Sequence, residues 1–96
     1  MQDKRSEPRQ RIVLQGEIIS GNGLRMSCAI RDISDRGARV SVVTPFHVTD
    51  LLTLLIPARH KLAMARVRWR KGTHLGLAFI SVAEITPNSA AQHQVA

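Results

Sequence analysis

The stretch "LRMSCAIRDISDRGARVSVVT", residues 24–44, reads as two alternating runs around a polar turn. In the first run Met26, Cys28 and Ile30 fall on one side, with Arg25, Ser27 and Arg31 on the other. In the second, Ala38, Val40 and Val42 alternate with Arg39 and Ser41. A period of two marks a half-buried strand, because successive side chains leave a pleated backbone on opposite faces. The "DISDRG" between the runs, residues 32–37, supplies turn-forming residue types. The stretch therefore predicts two strands joined by a tight turn.

The same pattern continues in both directions. Upstream, "RIVLQGEIIS" (11–20) is rich in Ile and is followed by the turn "GNG" (21–23). Downstream, Pro45 ends the third run, and "DLLTLLIP" (50–57) places Leu52, Leu54 and Ile56 on one face. "KLAMARVRWR" (61–70) aligns Ala63, Ala65, Val67 and Trp69, so parity predicts Trp69 in the core. After the turn "KGTH", "LGLAFIS" (75–81) aligns Leu75, Leu77 and Phe79. "SVAEI" (81–85) is expected to form one helical turn at most. Six short strands with a turn about every ten residues, and no convincing helix, predict an all-β antiparallel barrel or sandwich. Closing the sheet would remove exposed edges, which a chain of 96 residues needs.

Composition bounds the function. The chain suits one domain, and at 44% hydrophobic residues it can bury a modest core. Only Phe46, Trp69 and Phe79 are aromatic, so Val, Leu, Ile and Ala must fill that core. Fourteen Lys and Arg against seven Asp and Glu give a formal charge of +7. Such a balance favours an anionic partner, unless it mainly confers solubility. Eleven of the cations are Arg, whose planar fork matches phosphate and guanine and whose face stacks on a base. Cys28 is alone, so no intrachain disulfide forms and a reducing cytosol is expected. Residues 1–11 are almost all polar, and "LLTLLIPA" (51–58) is too short to span a bilayer, so the expected location is cytoplasmic without membrane insertion. His47, His60, His74 and His93 have no ligand spacing, and no metal or cofactor is expected. No nucleophile–base pair, paired carboxylates or metal triad suggests an enzyme.

The "KRSEPR" at residues 4–9 sets Arg5 and Arg9 four apart on a segment without apolar periodicity. Taken alone, such a pair arises by chance in a basic chain. Taken alone, the D-x-S-x-x-G of Asp32, Ser34 and Gly37 is an ordinary turn, its polar groups bonding the backbone and its Gly supplying a positive φ. Together, with the Arg pair just before strand one and the turn between strands two and three, they are far more specific.

The combination resembles the PilZ domain, a bacterial receptor for the second messenger cyclic di-GMP. The family's R-x-x-x-R stands here as Arg5-Ser6-Glu7-Pro8-Arg9, and its [D/N]-x-S-x-x-G as Asp32-Ile33-Ser34-Asp35-Arg36-Gly37. "GARVSV" after the turn and "ARVRWRKGTHLGLAFI" (65–80) are also similar to family members, and the likeness covers residues 4–82. It implies a six-stranded antiparallel β-barrel over 11–82; the absence of apolar periodicity predicts a flexible N-terminal arm over 1–10 and a short disordered tail over 83–96. It implies ligand contacts from Arg5, Arg9, Asp32, Ser34 and Gly37, with Lys4, Arg36, Arg66, Arg68 and Trp69 as further candidates. The family's residue at the Lys4 position influences whether one nucleotide or a stacked pair binds. Arg66, Arg68 and Arg70 are either a rim of the site or a solvated strand face.

The chemistry suits these residue types. Arginine grips a phosphodiester by charge-assisted bonds and can bind guanine O6 and N7 together. Asp32 can accept from guanine N1–H and N2–H, donors that only guanine presents side by side. Four extended residues span up to ~14 Å, enough to embrace a compact dinucleotide. The expected function is a cyclic di-GMP receptor or adaptor whose arm changes conformation on binding and relays the signal to a protein partner. The alternatives are a degenerate member acting by protein contact alone, and a basic nucleic-acid-binding barrel. The last expects stacking aromatics on a sheet face, whereas Trp69 and Phe79 have inward parity.

Overall fold

The computed structural model describes residues 10–85. Lys4, Arg5 and Arg9 lie outside them, as does the tail from residue 86. Six strands form: β1 Gln10–Ser20, β2 Arg25–Ile33, β3 Gly37–Ser41, β4 Leu51–Ile56, β5 Lys61–Lys71 and β6 His74–Glu84. They close into an antiparallel barrel in the order β1-β2-β3-β6-β5-β4, with β4 pairing back onto β1. Between barrel and sandwich, the barrel is the architecture found. No helix among the described residues is long and apolar enough to cross a membrane.

The alternating positions fill the interior as expected. Ile18, Ile30, Val40, Leu54, Ile56, Ala63, Ala65 and Leu75 are buried, and Phe79 packs against that cluster. Because β3 joins β6, the segment from Val42 to Asp50 must cross one end of the barrel to reach β4. It seals that end. Val48 is buried, and the buried Ser20 hydroxyl accepts from the Thr49 N–H at 2.8 Å. The Arg70 guanidinium donates to the carbonyls of Pro45 (3.1 Å) and Val48 (2.9 Å) and to Asp50 (3.0 Å).

Three expectations need correction. β3 stops at Ser41, because Val42 and its successors turn into the crossing segment. The residues 81–84 are strand, not a helical turn, because Ser81–Glu84 pair along Lys61–Met64 of β5. Trp69 is not core: it is 45% exposed. The alternation in β5 breaks at a β-bulge, where Val67 faces Leu77 but Trp69, not Arg68, faces the next residue Gly76. One extra residue reverses the parity beyond it. Val67 still packs on the core, Trp69 moves outside, and Arg70 falls opposite the buried Leu75, at the end where it holds the crossing segment.

The lone Cys28 faces the interior at 4% exposure, and burial pushes its thiol up to about 12 from an ordinary 9.0. The unfolded thiol ionises near pH 9 while the folded one stays neutral. Stability should therefore fall as pH rises from about 9 toward 12, by up to about 1.4 kcal/mol per pH unit. Denaturant unfolding of the protein and of Cys28→Ala across that range checks this: the variant should lack that part of the slope.

Candidate functional site

Two bulges assemble one surface. In β2 the alternation breaks at Arg31: Ile30 faces Val40, and Asp32 faces the adjacent Arg39. Ile30 and Val40 are buried inside the barrel, so Asp32 and Arg39 share the outer face. Arg39 in turn faces Gly76 of β6, and Gly76 faces Trp69 of β5. A carboxylate, a guanidinium, a glycine and an indole thus form a row across four adjacent strands. On the other side of Asp32 the backbone of Arg11 in β1 is its partner, and Gln10 faces Ile33. The first described residues of β1 therefore lie beside Asp32.

The row floors an open depression of about 590 Å³, within the usual range for ligand pockets. The β2–β3 turn forms one wall through Ser34, Arg36 and Gly37, and Arg68 stands beside Trp69 at the other. Arg36 and Arg68 are exposed and have no ion-pair partner among the described residues. Arg39 donates to Asp32 Oδ2 from Nε at 2.9 Å, with Nη2 also 2.9 Å from that oxygen. Asp32 Oδ1 is shut off from solvent and has no hydrogen-bond partner among the described residues. A buried carboxylate oxygen without a donor carries a desolvation penalty; having no accessible surface, it can meet a ligand N–H only if the groups over it move aside.

The turn explains its own sequence. The Ser34 N–H donates to the Gly37 carbonyl at 2.9 Å, and the Ser34 hydroxyl accepts from the Arg36 N–H at 3.2 Å. Its own proton is left to donate outward. Gly37 does not have a positive φ, contrary to the ordinary-turn reading. A Cβ there would instead run into the Leu77 carbonyl oxygen of β6, so glycine is needed for strand contact. Gly76 has a similar role under the indole: a Cβ would collide with Trp69 ring atoms. The bare backbone seats the indole against the sheet.

Asp32, Ser34, Arg36, Gly37, Arg68 and Trp69 therefore meet in one place. Arg66 does not line the depression; it is exposed on β5 opposite Ala78 and Leu51. Arg70 is neither rim nor free face, since it clamps the crossing segment. Arg39 and Gly76 escaped the sequence reading. Outward parity marked Arg39, but its facing Asp32 depends on the bulge.

A family model for the PilZ domain matches residues 3–94. The chain belongs to the PilZ domain family. That match spans both the N-terminal Arg pair and the whole described barrel of this PilZ domain. No curated protein matches the chain significantly.

The two glycines separate by experiment. Gly37→Ala forces strand backbones apart and should lower unfolding free energy by about 2 kcal/mol, in the overpacking range. Gly76→Ala meets a side chain that can swing away, so its cost should be smaller. Its main effect should be on the emission of Trp69, the sole tryptophan, shifted to the red as the indole leaves its seat. An unchanged spectrum in Gly76→Ala would remove the seat.

Proposed function

We propose that this PilZ domain is a cyclic di-GMP receptor that signals to a protein partner through its N-terminal segment. The observation that supports it is the row Asp32–Arg39–Gly76–Trp69 beside the place where the Arg5–Arg9 segment joins β1. Cyclic di-GMP carries two phosphodiester charges and two guanines. Asp32 offers an acceptor lacking a donor for a guanine N–H edge. Trp69 offers a flat ring for stacking, which accommodates a purine face. Arg36 and Arg68 bring uncompensated positive charge to one rim, and Arg5 and Arg9 add two further guanidinium groups from the segment. Lys4, next to that pair, bears on how many nucleotides stack.

The switch follows from charge. Residues 1–10 carry no apolar side chain except Met1, so little drives them onto a basic barrel. Bound phosphates offset the repulsion and join segment to barrel. Ordering about five residues costs roughly 5–10 kcal/mol of backbone entropy. The affinity is what remains after that cost, and the closed segment presents a new surface to the partner.

Nucleic acid is the lesser reading. Phe46 and Trp69 are both exposed, so aromatics are available on the surface. They do not make a stacking track: Phe46 sits on the crossing segment against His47, with ring centroids 4.5 Å apart, and does not line the depression.

Calorimetric titration with cyclic di-GMP, with GTP and an oligonucleotide as controls, tests the proposal. Cyclic di-GMP should bind, and Arg5→Ala or Arg9→Ala should each weaken it by ~1.5–3 kcal/mol, the range for charged hydrogen bonds. Amide exchange on residues 2–10 should slow strongly with ligand. A null titration, or binding indifferent to both Arg variants, would overturn the assignment.

A further inference from the structure

Arg39 belongs to neither family motif singled out in the sequence, yet it bonds the Asp32 carboxylate in the depression. Nε and Nη2 both lie 2.9 Å from one oxygen of Asp32, and Nη1 lies 3.5 Å from His74 Nδ1. The guanidinium is thus held at both ends across β2, β3 and β6. It occupies Oδ2 and leaves Oδ1 without a partner among the described residues. We propose that Arg39 is a positioning residue that sets base specificity: it fixes the Asp32 carboxylate in one orientation and reserves Oδ1 for a donor on the ligand base.

The inference rests on the proposed nucleotide site and deepens it. A free carboxylate rotates and can accept from many donors, so it discriminates poorly. One oxygen fixed by the Nε–H bond leaves the other at a defined place and angle, to be met by a ligand donor once the groups over it move aside. A base with ring and exocyclic N–H donors satisfies it, and a base that presents an acceptor there leaves it unpaired. Sites built around such a bond discriminate far more strongly than apolar ones. The Arg fork places Nε–H on that oxygen while Nη1 lies toward His74; a Lys ammonium lacks that rigid plane. The bulge at Arg31 is the backbone feature that sets the two side chains opposite one another.

A double-mutant cycle tests this with cyclic di-GMP and cyclic di-AMP as probes. Arg39→Leu should weaken cyclic di-GMP about 10-fold and affect cyclic di-AMP less, shrinking the preference. Arg39→Lys should keep the charge and still lose most of the preference. In the Asp32→Ala background, Arg39→Leu should add little, because it acts through Asp32. Full additivity, or equal losses for both dinucleotides, would make Arg39 a direct phosphate contact and overturn the positioning role. Thermal unfolding of each free variant identifies any that fail to fold; Arg39→Lys, of near-equal length, then carries the comparison. Wild-type protein that binds neither dinucleotide would overturn the receptor reading itself. Wild-type binding with an unchanged preference in Arg39→Lys and Arg39→Leu would overturn this inference alone.

Discussion

An ionised carboxylate cannot face an apolar barrel interior without a partner. Asp32 lies two residues after the buried Ile30, so unbroken alternation would point it inward. The bulge at Arg31 prevents this. It turns Asp32 outward to Arg39 and lets Ile33, one residue later, pack against the core. The strand keeps its apolar contribution on both sides of the break. The same irregularity that keeps charge out of the core gathers the polar groups of the site.

The break in β5 is its counterpart. Beyond it Trp69 is outside and Arg70 has inward parity, which is harmless because the barrel ends there and Arg70 reaches the crossing segment's carbonyls. Two bulges therefore place a carboxylate and an indole on one outer row, with the two strands carrying Arg39 and Gly76 between them. Bulges are a usual means of re-aiming side chains at binding sites. Because the row is built on paired strands, its geometry is fixed before any ligand arrives.

The strands and the interior were legible because period-two alternation is a local property, readable from Met26, Cys28 and Ile30 or from Leu52, Leu54 and Ile56. The closure came from the family pattern: alternation alone left barrel and sandwich open, and the β1–β4 pairing lies far apart in sequence. Trp69 was misplaced for a related reason. Parity assumes every residue advances the pleat by one, and nothing in "ARVRWRK" marks Arg68 as the extra residue. Asp32, Ser34 and Gly37 were found through family pattern, while the physical need for Gly37 came from a strand 40 residues away. Arg39 and Gly76 were invisible because their value lies in cross-strand partners.

The division of labour in the site follows from these constraints. Within the barrel, the charges closest to Asp32 are already paired, so the floor of the depression is locally near neutral despite a chain charge of +7. Among the described residues, uncompensated charge sits at the rim, on Arg36 and Arg68. A paired, rigid floor reads shape and hydrogen-bond pattern, since its donors and acceptors cannot rearrange to suit a wrong base. An unpaired rim attracts any phosphate at a distance but discriminates little between bases. Under the receptor reading, selectivity therefore resides in the sheet and the signal in the segment. A change in one can alter which nucleotide is chosen without altering how binding is reported, because the two functions depend on different residues.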